Sequence, residues 1–171
     1  ANPALFWAGD KLRRRIAPPA PALPQAAAAP PRPTRLTGHA VLVGYGRVGR
    51  LVAEGLKDRP LLVIEAAADS RARLAEAGIE FLSGNAAEEG VLASANLAAA
   101  RILFVAIPES FEAGQIVERA RKANGRLHIV ARAHFDAEVD YLRQCGADLV
   151  VMGEREIAHA MLAEAARTRT G

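Results

Sequence analysis

From residue 40 onward, short apolar runs alternate with stretches in which apolar residues recur every three or four positions. The runs at 40–44, 61–65, 79–82, 101–107, 127–131 and 148–151 read as buried strands. The periodic stretches at 47–57, 69–77, 87–93, 111–123, 135–144 and 154–167 read as helices. Six strands in strict alternation with six helices predict an α/β architecture: a parallel sheet whose crossover helices cover it. A doubly wound sheet of this kind has the strand order 3-2-1-4-5-6. Its ligand crevice lies where the direction of winding reverses, between strands 1 and 4.

The first strand ends in a pattern that narrows the picture. Val41-Leu42-Val43 runs into Gly44-Tyr45-Gly46-Arg47-Val48-Gly49 and then into the helical spacing of Leu51 to Lys57. Gly44 lets the chain turn tightly off the strand. Gly46, with no Cβ, lets a diphosphate approach the backbone, and Gly49 lets the helix pack closely on the sheet. The unpaired N–H groups and positive dipole end of that helix then face the diphosphate. The second strand ends in Glu65, about 20 residues past the first glycine, at the spacing of a carboxylate that accepts hydrogen bonds from a ribose diol. Ala66 brings no positive charge, so the pattern favours adenosine nucleotides such as NAD(H) or AMP over a 2′-phosphorylated ligand. Arg71 and Arg73 read as surface charges of the next helix, with a bend back to a phosphate as the alternative. The whole is Rossmann-like.

Residues just past the other strand ends complete the candidate site. Gly84-Asn85-Ala86 follows strand 3, where Asn85 either meets an adenine edge or simply makes a turn. Ala106, Ile107 and Pro108 wall the adenosine side, and Pro108 stops strand 4. Arg132 and His134 follow strand 5.

The front of the chain is different in kind. Residues 1–16 are apolar with Trp7 and then abruptly basic, at Lys11, Arg13, Arg14 and Arg15, as where a membrane helix meets the cytoplasm. An amphipathic or structureless tail is the alternative. Residues 17–37 are rich in Pro and Ala, a semi-rigid linker. The nucleotide-binding domain is expected over 38–167. An opening at Ala1 rather than methionine suggests a piece of a longer protein.

Charge follows the same division. The chain carries a net +3, but residues 1–37 hold six basic residues and one acid, leaving the remainder at −2. That argues against a nucleic-acid-binding domain. The single cysteine, Cys145, rules out an internal disulfide and a multi-cysteine zinc site, and reads as packing near a helix end. No apolar run reaches the roughly 18 residues of a membrane span.

Catalytic candidates are few. A dehydrogenase needs a proton donor or acceptor beside the nicotinamide. His39 precedes strand 1, His128 lies in a strand and His159 on the last helix. Only His134 lies at the correct edge, where capping a helix or pairing with Glu138 is the plainer role. No catalytic constellation or metal site stands out, so a nucleotide site without reaction apparatus reads as a sensor. On the last helix Ile157, Ala158, Met161, Leu162 and Ala165 share one face, which either packs on its own sheet or carries part of a dimer contact.

Taken together, Gly44-Tyr45-Gly46-Arg47-Val48-Gly49, Val63-Ile64-Glu65, Gly84-Asn85-Ala86, Ala106-Ile107-Pro108, Ala131-Arg132-Ala133-His134 and the run from Val151 to Ala158 resemble the TrkA-N or RCK domain. More narrowly, they resemble the cytosolic C-terminal domain of Kef-type monovalent cation:proton antiporters, over about residues 38–166. The resemblance implies a homodimeric regulatory domain that binds NAD(H) or AMP and gates an attached transmembrane antiporter domain, on the cytoplasmic side of a bacterial inner membrane. It assigns Gly44, Gly46, Arg47, Val48 and Gly49 to phosphate, Glu65 to ribose, Asn85 and Ala86 to the adenine neighbourhood, and Arg132 to the crevice or a partner subunit. Asn2-Pro3-Ala4-Leu5-Phe6 is similar to the end of the family's last membrane helix. The chain departs from the family at Ala66-Ala67-Ala68, where polar residues are usual. An NAD-dependent oxidoreductase fragment and a peripheral subunit of a potassium-uptake channel are the competing readings.

Overall fold

The computed structural model describes residues 31–168; the expected membrane-exit segment and residues 17–30 of the linker lie outside it. Six strands, β1 (Ala40–Val43), β2 (Leu61–Glu65), β3 (Glu80–Ser83), β4 (Ile102–Val105), β5 (His128–Ala133) and β6 (Leu149–Met152), form one parallel sheet in the order β3-β2-β1-β4-β5-β6. The helices are α1 (Arg47–Gly55), α2 (Ala68–Glu76), α3 (Glu89–Ala93), α4 (Ser110–Ala123), α5 (Asp136–Gln144) and α6 (Gly153–Thr168). The doubly wound topology is the expected one. Val41, Leu42, Leu62 and Val63 are fully buried because the central strands are covered on both faces.

Helices α1 and α2 pack on one face around Leu42, Ala53, Val63 and Leu74. The larger core lies on the other face, where α3, α4 and α5 enclose Val41, Leu62, Leu103, Ile116, Ile129 and Leu142. Full burial of each such side chain stabilises the fold by about 1.5–3 kcal/mol.

Element ends differ from expectation where local hydrogen bonds intervene. Helix α3 begins at Glu89 rather than 87, because the Asn85 carboxamide oxygen accepts the Ala87 N–H (2.6 Å) and holds a turn there. A 3-10 turn at Leu97–Ala99, unforeseen, follows Asn96 in the left-handed region. Strand β4 stops at Val105, and β5 runs on to Ala133 because Arg132 and Ala133 pair with Val151 and Met152 of β6.

The end of the linker is bound to the domain at the edge where the strands begin. The Thr34 N–H donates to the Ser94 carbonyl (2.9 Å) and its hydroxyl to Glu80 (2.5 Å). Asn96 donates to the Leu36 carbonyl (2.9 Å), and the Gly38 N–H to the Ala99 carbonyl (2.7 Å). Buried His39 follows, its Nε2 3.0 Å from the Ala95 carbonyl oxygen.

Among the described residues no helix is long and apolar enough to cross a membrane.

Candidate functional site

The three glycines after β1 occupy three different environments. Gly44 has φ +90°, a conformation that L side chains rarely adopt, and a Cβ there would lie 2.9 Å from the Ile107 side chain. At Gly49 a Cβ would fall on the Gly44 carbonyl oxygen, with its carbon 2.9 Å away, so α1 can rest on the turn only without a side chain. Gly46 has an ordinary φ of −75°, and nothing lies within 4 Å of the place its Cβ would take. Open space thus stands where backbone must be approached from outside.

Gly46 is also the residue before α1, whose start receives no side-chain cap and no carboxylate in its first turn. The other five helices each carry an acid in that turn: Asp69, Glu89, Glu112, Asp136 and Glu154. An anion placed at α1 therefore meets unopposed N–H groups and the positive dipole end. Arg47 is exposed beside it, and Val48 is half-buried.

Glu65 reaches across from the end of β2. One carboxylate oxygen accepts the Tyr45 N–H at 2.6 Å, the other the Ala67 N–H at 2.7 Å. A carboxylate has about four acceptor positions, so these bonds leave room for two ribose hydroxyls. Sequence spacing located Glu65, but its hold on the glycine turn is a contact between loops that spacing cannot reveal. Ala66 beside it is exposed.

The remaining predicted residues border the same edge. The Gly84 N–H donates to the Glu65 carbonyl (3.2 Å); Gly84 has φ +140° and its Cβ position is closed by Val91 at 2.8 Å. Asn85 takes the turn role left open in the sequence, through its carboxamide oxygen. Ala86 is buried behind it. Ile107 packs over Gly44, with Pro108 exposed beyond. Arg71, half-buried, bends back so that its guanidinium donates to the Ser83 hydroxyl (2.9 Å), at the end of β3. It stands at the site's edge rather than out on the helix surface.

Arg132 lies on the sheet face shared with α1. There an apolar hollow of about 290 Å³ is lined by Val48, Val52, Phe104, Ala106, Val130, Arg132, Val151 and Gly153. The sequence carried a signal for this half-open face. Along β5, exposed or half-buried His128, Val130 and Arg132 alternate with buried Ile129, Ala131 and Ala133, the period of a strand covered on one side.

His134 acts through its backbone. Its N–H donates to Glu138 at 2.7 Å, and the Phe135 N–H to the same oxygen at 3.4 Å, closing the start of α5. The His134 N–H, helped by Phe135 and the Ser110 hydroxyl, holds the Glu138 carboxyl below its usual range. Helix α6 does not pack on its own sheet: it buries none of its residues, and Ile157, Met161 and Leu162 are 63%, 70% and 67% exposed.

Known proteins share this fold. The TrkA-N domain model matches residues 40–153. YbaL of Escherichia coli (strain K12), named as a cation/proton antiporter, is 48% identical over 132 residues, covering 76% of this chain and 24% of YbaL. The chain thus spans about a quarter of that relative. The crystal structure of the YbaL TrkA-N domain superposes with a TM-score of 0.73 over 76% of this chain and 98% of that domain. A Kef CTD of Shewanella denitrificans in AMP-bound form gives a TM-score of 0.61 at 27% identity, over 77% of this chain and 81% of that one. The GsuK channel bound to NAD shares the fold alone, with a TM-score of 0.64 at 22% identity over 86% of this chain and 26% of that one. The strand order, the glycine turn and the family match agree: the chain belongs to the TrkA-N domain family.

Proposed function

We propose that this chain is the nucleotide-binding regulatory domain of a monovalent cation:proton antiporter of the Kef type, exchanging potassium and placed on the cytoplasmic side of a bacterial inner membrane. Its ligand is an adenosine nucleotide, NAD(H) or AMP. The diphosphate or phosphate rests against Gly46 and the start of α1, the ribose on Glu65, and the adenine beside Asn85 and Ala86. Ala106, Ile107 and Pro108 bound the adenosine. The observation that carries this reading is the vacant space over Gly46, at a helix start free of carboxylates and facing the Glu65 carboxylate.

The relatives support the antiporter attachment through YbaL and the ligand class through the AMP-bound Kef CTD. The role is sensing rather than catalysis, a reading supported by the family match and by the antiporter relatives. Nucleotide binding biases transport only by its difference in affinity between two arrangements of the domain. Those arrangements belong to a homodimer in which α6 of each copy meets the other.

Gly46→Ala is the sharpest test. With φ −75° and open surroundings the fold accepts the methyl, while a phosphate cannot approach past it. The expected result is an unchanged melting temperature with AMP and NADH affinity reduced at least tenfold by calorimetric titration. Undiminished affinity in that variant would overturn the site.

A further inference from the structure

The mildly acidic balance of the folded part conceals a separation of charge along the strands. Because all six strands are parallel, every loop entering a strand lies at one edge of the sheet. That edge bears Arg32, Arg35, Lys57, Arg59, Arg101 and Arg126, all exposed and none in an ion pair among the described residues. Ala40 sits beside Leu61 and Ile102, and Ile102 beside His128. Arg59, Arg101 and Arg126 therefore stand one or two residues ahead of strands spread over about 14 Å of sheet.

Five carboxylates lie among them or on the adjoining helix ends: Glu54, Asp58, Glu76, Glu80 and Asp148. Glu80 accepts the Thr34 hydroxyl, and Asp148 binds Arg121 at 2.8 Å. The opposite edge carries more acids than bases: Glu65, Asp69, Glu88, Glu89, Glu109, Glu112, Asp136, Glu138 and Glu154 against Arg47, Arg71, Arg132 and Arg155, the last paired with Asp136. Helix dipoles favour acids at helix starts and bases at helix ends, but Arg35, Arg59, Arg101 and Arg126 lie outside helices and gain nothing from them. The chain also enters at this edge, where the Pro31 carbonyl accepts the Ser94 hydroxyl (2.9 Å), so the residues carrying Lys11, Arg13, Arg14 and Arg15 join the domain here.

We infer that the strand-entry edge docks on anionic phospholipid headgroups, with the glycine turn facing away from the bilayer. This rests on the reading of the domain as attached to a membrane protein. Cations on an open edge, without aromatic side chains interleaved for base stacking, suit a headgroup layer better than a nucleic acid. The acidic edge is repelled from the same surface, which fixes the orientation.

The test is co-sedimentation of the 171-residue chain with phosphatidylcholine vesicles, with and without phosphatidylglycerol. Binding is expected only with the anionic lipid and is expected to fall as salt is raised. Each unit of charge lost at the surface weakens partitioning roughly fivefold, so Arg59→Glu with Arg126→Glu should weaken it at least about a hundredfold. The pair Arg155→Glu with Arg167→Glu, both on α6, which starts at the opposite edge, changes net charge equally and should retain most binding; thermal melts confirm that both variants fold. Equal losses in both pairs, retained binding in the edge pair, or displacement of the wild type from vesicles by duplex DNA would each overturn the inference. AMP titration of the same proteins reads the nucleotide site separately: docking without AMP binding would sink that site alone.

Discussion

Gly46 and Gly49 stand three residues apart, and a methyl group added to each meets opposite surroundings: empty space at one, a backbone carbonyl at the other. This difference was legible in the sequence because strand, turn and helix leave each glycine one place in the geometry. The Glu65 contacts were not legible, since they depend on how two loops meet. The same holds for Glu138, which the sequence offered only as a partner for His134. In the folded domain Glu138 takes two backbone N–H groups at the start of α5, and the His134 N–H above all holds its pKa below the unfolded value. A depressed carboxylate stabilises the fold above its unfolded pKa, about 4.3, and that contribution is lost as pH falls through the folded value. Glu138→Ala is therefore expected to lose about 1 kcal/mol at pH 7, with the gap to wild type narrowing below about pH 4. Urea denaturation at both pH values measures it; a gap that persists in acid would assign the loss to packing.

At the scale of elements, the alternation of apolar runs with helical spacing specified all six strands and their order, since right-handed crossovers leave few alternatives. The ends were less legible, as at α3, because a side-chain turn such as that of Asn85 competes with the first helical hydrogen bonds. Contacts between helices were hidden as well. Gly114, in the middle of α4, faces Tyr141 of α5, and a Cβ would lie 2.6 Å from the ring. Alanine there gains up to about 1 kcal/mol of helix propensity, while displacing the ring costs about 1–3 kcal/mol. Gly114→Ala is expected to destabilise the domain by about 1–2 kcal/mol, and to become neutral or stabilising when Tyr141→Ala is combined with it. Denaturation of the four proteins of this double-mutant cycle gives the coupling, and additive effects would refute the contact.

At the scale of the molecule, two apolar surfaces lack partners within the described chain: the hollow over Phe104, Val130 and Val151, and the face of α6 bearing Ile157, Met161 and Leu162. The sequence left the α6 face open between its own sheet and a second copy, because helical periodicity shows which residues share a face and not what covers it. Its exposure, with no residue of the helix buried, removes the first choice. A helix of 16 residues, about 24 Å long, can span the open strands of a neighbour. Both surfaces belong to one chain, so in the proposed homodimer a two-fold pair would satisfy each helix with the other copy's sheet and leave no unfilled repeat. The attached crevice then lies beside the contact, since Arg132 and Val48 line the hollow next to the glycine turn. Covering each large α6 side chain contributes about 1.5–3 kcal/mol, and charge at the centre forfeits that and adds a desolvation cost. Met161→Glu is expected to halve the mass found by light scattering and to abolish the rise of melting temperature with protein concentration. A wild-type chain that remains monomeric at high concentration, or a variant that still pairs, would separate nucleotide sensing from dimer geometry.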